Sequence, residues 1–388
     1  MRLFLKKSVK IGILIALIST AIFFIIGCTY GDAECEKTIN AAERGLSQSD
    51  AGENNSKILQ TLIDEASLEG KTVYIPAGKY KFTANGNQTI GSHCIKMRSG
   101  VSVVGDGEST VLMPTGHTTY GLDMFYFNDY LDTGSAVYLE NCRFEDFVID
   151  ALDTSCETYT SAGKGFMFNL FRNCHFKNVT VKNTDATGFG VDCPIDSSIF
   201  GCAAIGCGKA ADDDSTGASG FGIGFGYSSE ENIVISDCAA SDNKIFGFFF
   251  EHQGRFDNER YSADISNGFI VKNCFSSGDL FGFGGINAFD VDYRDCVSQN
   301  AKRFGFFFEN SFSCQVNRGE SIDAKEACFA FVQQDKIPET KEKIRLSECV
   351  GKACPRGILA CVIDRDISVA AVENCTFVDV MIEYDVGK

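Results

Sequence analysis

Seven five-residue segments place acidic and aromatic side chains at matching positions, and that matching could build a reactive surface. They are GFMFN (165–169), GFGVD (188–192), GFGIG (220–224), GFFFE (247–251), GFGGI (282–286), GFFFE (305–309) and CFAFV (328–332). Alternation along a strand sends residues two and four to one face and residues three and five to the other. The fifth position reads Asn169, Asp192, Gly224, Glu251, Ile286, Glu309 and Val332; the third reads Met167, Gly190, Gly222, Phe249, Gly284, Phe307 and Ala330. If the segments stack in order, Asp192 and Glu251, with Gly224 between them, stand about 9.6 Å apart. Carboxylates about 6.5–9.5 Å apart suit inversion at a glycosidic carbon, where one protonates the leaving oxygen and the other activates water. His252, directly after Glu251, is the only histidine in the set and a candidate proton shuttle. Asp192, Glu251 and His252 are the expected catalytic group. Phe249 and Phe307, expected to be exposed on the outward face, would stack on a sugar ring. Asn169, Glu309 and Arg255, the last from the polar loop 253–266, would help to hold it. The carboxylates could also bind Ca2+, which takes oxygen ligands, although no calcium motif accompanies them. For a single Asp or Glu, a solvated acidic surface is the plain alternative.

The elements that must hold these residues follow from their spacing. The steps between segments are 23, 32, 27, 35, 23 and 23 residues, a fixed unit of 23 with loop insertions. Repeats of this size mean solenoids, propellers or arrays. Each unit has a short apolar strand bounded by Gly, Asn, Asp and Ser turns. Nothing here reads as a long amphipathic helix. The inward second and fourth positions (Phe166/Phe168, Phe189/Val191, Phe221/Ile223, Phe248/Phe250, Phe306/Phe308, Phe329/Phe331) predict the core. A second column, Asn141-Cys142, Asn173-Cys174, Asp237-Cys238, Asn273-Cys274, Asp295-Cys296, Glu348-Cys349 and Asn374-Cys375, supports the same register. Its thiols are expected to pack inside. Cys202/Cys207 and Cys349/Cys354 are the best-spaced disulfide or metal candidates, and no CxxC pair stands at zinc spacing.

The N-terminus carries Arg2, Lys6, Lys7 and Lys10, then an uncharged apolar run from Ile11 to Ile26, then Gly27-Cys28. That order makes an export signal. IIGC resembles a bacterial lipobox, with Cys28 as the lipidated residue. The reading is a lipoprotein-type signal peptide over 1–27, a polar tether over 28–50, and one folded domain over 51–388, held outside the cytoplasmic membrane by lipid. Without the four signal cations the chain has 31 basic and 52 acidic residues, a net charge of −21. Such a surface repels nucleic acid and anionic lipid.

Residues 54–82, NNSKILQTLIDEASLEGKTVYIPAGKYKF, predict a short amphipathic helix with Ile58, Leu59, Leu62, Ile63 and Ala66 on one face. A strand to Pro76, a tight turn at Ala77-Gly78 and a second strand follow, and then IKMRSGVSVVGDG (95–107). This stretch resembles the N-terminal cap and first coil of the pectate lyase superfamily. The resemblance implies an all-β fold, a single-stranded right-handed parallel β-helix with a short N-terminal capping helix. It implies a polysaccharide partner outside the cell and cleavage or remodelling by hydrolysis, β-elimination or epimerisation. A noncatalytic glycan-binding or adhesion solenoid, acting like the enzyme as a monomer, is the alternative. Asn183-Thr184-Asp185 matches a polygalacturonase signature as letters, and Glu251-His252-Gln253-Gly254 loosely resembles that family's GHG. The expected aspartate pair and RIK do not follow. If IIGC is a lipobox, Cys28→Ser abolishes lipid labelling and leaves the precursor unprocessed, read by mass; unchanged mass and membrane retention would indicate an uncleaved anchor.

Overall fold

Each repeat contributes one strand to a single long sheet, and the chain between repeats supplies the other walls. The computed structural model describes residues 38–85, 92–129, 134, 136–212, 217–253, 268–333, 342–362 and 370–387. They wind as a right-handed parallel β-helix. A typical coil runs from the repeat strand Phe221–Phe225 to Asn232–Ser236, then Ala239–Ser241, and back to the next repeat strand, Phe246–His252. All three pair in parallel with the coil above. The repeat strands form the front sheet, which has 12 strands among the described residues. The other two ladders are joined by two strands long enough to run through both, Arg143–Asp150 and His175–Lys182.

The helix Glu53–Glu69 closes the start of the solenoid. Leu59, Leu62, Ile63 and Ala66 are buried. Asp50 accepts the Gly52 and Asn55 N–H groups at its N-terminus, and Gly70 ends it in the left-handed conformation that glycine tolerates. The folded body begins earlier than the sequence suggested. Thr38–Asn40 pairs in register with Thr72–Tyr74, so residues 38–50 belong to the first coil and not to the tether. Cys28 lies outside the described residues.

The core follows the predicted columns. Phe166, Phe189, Phe221, Phe248, Phe283, Phe306 and Phe329 form one stack, with successive ring centroids 4.7–5.3 Å apart. The spacing is the strand spacing itself, so each ring lies on the next coil's ring at no cost in register. The cysteines form more than one column. Cys142 and Cys174 stack at the corner after the front sheet. Cys202, Cys238, Cys274 and Cys296 stack at the corner between the other two ladders, and Gly319 separates them from Cys349 and Cys375. All described thiols are free. The candidate pairs Cys202/Cys207 and Cys349/Cys354 are not bridged, because each belongs to two different corners of its coil.

At the third corner the chain must turn tightly into the front sheet, and the leading glycine of each repeat permits it. A Cβ on Gly247 would lie 2.7 Å from Asp279 Oδ2 and 2.8 Å from Ser276 Oγ. In the seventh repeat Cys328 replaces glycine, and the glycine moves to the facing wall: a Cβ on Gly351 would lie 2.7 Å from Cys328 Sγ. Asp279 itself is buried at this corner. It accepts the backbone N–H and side-chain amide of Asn243 (2.7 and 2.9 Å) and the Ser276 hydroxyl (2.6 Å). Burial raises its carboxyl from 3.8 to about 7 despite these bonds. Between those values the folded chain holds a proton that the unfolded chain has released. Stability from this group therefore falls as pH rises from about 4 to about 7. Asp279→Asn keeps the shape and the Asn243 bonds without an ionisable group. The stability of the parent relative to this variant, measured by urea unfolding, is expected to fall across that window and to level off above it.

Candidate active site

The outward fifth column forms as expected. Asn169, Asp192, Gly224, Glu251, Ile286 and Glu309 are successive partners across the front sheet. Asp192 and Glu251 are two strands apart with Gly224 between. Asn169 and Asp192 are 5% and 8% exposed, while Glu251 and Glu309 are half-buried. Asp192 leans over the glycine: its Oδ1 accepts the Gly224 N–H at 2.9 Å. A Cβ on Gly224 would lie 2.5 Å from that oxygen and would also collide with the Gln253 amide. The glycine thus lets a carboxylate and an amide converge above one point of the sheet.

The backbone is distorted at the same place. Leu170 and Cys193, which follow Asn169 and Asp192, have φ of +62° and +56°. Bulky residues rarely adopt this region, and such conformations cluster at functional sites. Regular pairing resumes at Phe171 and Pro194. Beyond the distortion stands a polar lip. The Arg172 guanidinium lies over the Tyr138 ring at 4.6 Å and pairs with Glu140 at 3.1 Å. Tyr227 stands 6.3 Å from Tyr138, centroid to centroid. Burial, and then Glu231, holds the Tyr138 phenol well above its ordinary value. The buried Glu231 accepts the N–H groups of Gly226, Tyr227 and Ser228, each at 2.6 Å, and so shapes the turn that forms the lip. On the other flank the Lys164 stem crosses Gly190, where a Cβ would lie 3.0 Å from Nζ.

Two expectations need correction, and one motif finds its place. His252 does not share the outward strip. As the next residue after Glu251 it points the other way, 6% exposed, with its ring 5.5 Å from Phe225 and 5.3 Å from Phe289. Phe249 and Phe307 do face outward, but they are covered, at 4% and 7% exposure. They belong to a second apolar cluster outside the front sheet, where Phe249 stacks on Phe246 at 4.6 Å and Phe307 on Phe281 at 4.5 Å. They offer no open stacking surface. Asp185 of the Asn183-Thr184-Asp185 motif is buried at a corner, 3.3 Å from Lys209 Nζ. That ammonium also meets Thr154 Oγ1 at 3.0 Å and the Asn183 carbonyl at 2.8 Å, which makes it a clamp between coils. Arg255 lies outside the described residues. Among the described residues no group of three or more His, Cys, Asp or Glu is placed to hold a metal ion.

Gln253, Lys164, Tyr138, Arg172, Tyr227 and Glu231 were missed from sequence. Only Gln253 carried a signal there, two residues after Glu251 at the start of the suspected loop. The others flank the strip strands in sequence or, like Tyr138, pack against such a flank, and carry no motif of their own.

A family model described as "Rhamnogalacturonase A/epimerase, pectate lyase-like" matches residues 38–307. The chain belongs to this family. It is a carbohydrate-active β-helix family. No curated protein matches the sequence. Among solved structures, the A-module of the Azotobacter vinelandii mannuronan C-5 epimerase AlgE4 is similar at 17% identity and TM-score 0.56, covering 90% of this chain and 97% of that one. The Yersinia enterocolitica family 28 exopolygalacturonase is similar at 12% identity and TM-score 0.52, over 91% and 79% of the two chains. The Streptococcus pneumoniae surface protein and adhesin PfbA matches at 13% identity and TM-score 0.50, over 90% and 99%. At these identities the likeness is one of fold.

Burial of Phe249 in the outer cluster changes its expected cost. Phe249→Ala and Phe250→Ala should each destabilise by about 3–5 kcal/mol in denaturant unfolding, since both delete a buried ring. A cost below about 1 kcal/mol for Phe249 alone would mean that the outer cluster is open in solution.

Proposed function

We propose that this chain is an extracytoplasmic enzyme that cleaves or remodels a polysaccharide on the outward strip of its front sheet, with Asp192 and Glu251 as the acid–base pair. The observation that carries the reading is the register Asn169–Asp192–Gly224–Glu251, in which two carboxylates flank a glycine on the outward face of a carbohydrate-active fold. Gly224 leaves room on the strip for the Asp192 carboxylate and the Gln253 amide, with Asp192 and Glu251 on the strands to either side of it. In hydrolysis one carboxyl protonates the leaving oxygen while the other activates water. In β-elimination or epimerisation of a uronate the pair would remove or return a ring proton. Lys164 and Arg172, on the two flanks, supply the positive charge that a sugar carboxylate needs there. The chain would reach this work through the export signal and be held at the membrane by lipid on Cys28.

A glycan panel spanning polyuronates and neutral chains distinguishes the chemistries. New reducing ends alone indicate hydrolysis, and reducing ends with ultraviolet absorbance indicate elimination. An altered uronate ratio without either indicates epimerisation. Binding with none of the three would support the adhesin reading, which the incomplete polygalacturonase signatures favour. On the glycan so identified, Glu251→Gln and Asp192→Asn should each lower turnover by about 10²–10⁴-fold with the fold intact, because an amide keeps the shape but cannot exchange the proton. Full activity in both variants would place the chemistry elsewhere.

A further inference from the structure

The terminal coils carry a thiol pair whose position suggests a use. Val350 pairs with Thr376, and the Thr376 N–H donates to the Cys349 carbonyl at 2.9 Å, so Cys349 and Cys375 occupy the same corner on adjacent coils. The Cys349 thiol donates to the Val316 carbonyl at 3.1 Å and the Cys375 thiol to the Glu373 carbonyl at 3.5 Å. In-register Cα atoms on neighbouring parallel strands lie about 4.8 Å apart, inside the range of about 4.4–6.8 Å that a disulfide spans. Gly319 takes the place of a thiol on the preceding coil, so Cys349 has one in-register thiol neighbour and no second. The four-thiol run Cys202–Cys296 is buried throughout, whereas Cys375 is partly exposed on the last coil.

We infer that Cys349 and Cys375 are a redox-closable pair that staples the last coil, Ala370–Gly387, to the one before it. The half-exposed Cys375 attacks an external disulfide, releasing one thiol and forming a mixed disulfide. The Cys349 thiol then gives up its proton and attacks Cys375 Sγ, releasing the second thiol. The external disulfide is reduced to two thiols and the protein dithiol is oxidised to one disulfide. A contact with Cys349, opposed by burial, lowers the Cys375 thiol to about 7, which favours the attacking thiolate at neutral pH. The bond would add a covalent tie to the strand pairing that already holds Ala370–Gly387 to the preceding coil.

The test uses the full chain with oxidised glutathione as the external disulfide, followed by alkylation and peptide mass mapping. The expected product is a Cys349–Cys375 disulfide, reversed by dithiothreitol, with proteolysis after residue 353 slowed about tenfold or more. Cys349→Ser should stop at glutathione on Cys375, and Cys375→Ser should yield neither product. Cys361→Ser should change nothing: Cys361 is also half-buried, but it pairs in register with Val332 and Gly387 and has no thiol beside it. Glutathionylated Cys375 without the bridge in the parent chain would overturn the inference. So would a bridge to another cysteine, or no reaction at Cys375 while the coil stays protected.

Discussion

Everything in this molecule depends on one constraint: each coil lies in register on the last, so every side chain is packed against the residue that repeats its position. A residue can occupy such a column only if it tolerates a copy of itself, or a suitable substitute, about 4.8 Å away. Phenyl rings do, and they stack through seven coils at the strand spacing. Thiols do, being small and uncharged. Like charges do not, because directly opposed carboxylates repel one another across a sheet. The acidic column obeys this rule, with Gly224 and Ile286 standing between Asp192, Glu251 and Glu309. A packing requirement therefore sets the two-strand separation that an acid and a base can use.

The same constraint explains the corners. Where two walls converge, one partner must be minimal, and the chain places its glycine on either side as needed. Gly247 yields to Asp279 and Ser276, whereas Gly351 yields to Cys328. The charged groups buried at these corners are held by hydrogen bonds, as at Asp279, or by an ion pair, as between Asp185 and Lys209. They tie coils together and stand away from the outward strip.

Much of this was legible in sequence because a period is visible without coordinates. The repeat strands, the inward phenylalanines, the outward acidic column and the amphipathic helix follow from spacing, and the helix's capping place from the family resemblance. What failed was inference about cover. Alternation tells which side of the sheet Phe249 and Phe307 occupy, but not what lies over that side. A signal was present: phenylalanine also precedes the glycine in three successive repeats, at 246, 281 and 304, and these rings build the outer cluster. His252 was misplaced by halting the alternation one residue early. The cysteines looked like one column because a polar residue before a thiol recurs at two corners, and only register separates them.

The match of Asn183-Thr184-Asp185 to a known signature shows why letters are weaker than columns in such a fold. Asp185 is buried at a corner against Lys209, where no sugar chain could reach it. Asp192, seven residues on, has no signature around it, yet it lies on the outward strip beside Gly224 and a distorted backbone. The Gln253 amide, the Lys164 stem and the Glu231-organised lip come to it from other coils. In a solenoid the groups that meet in space are separated by whole turns of chain, so a site is assembled along the axis. A local motif samples one coil, and the proposed acid–base pair spans three.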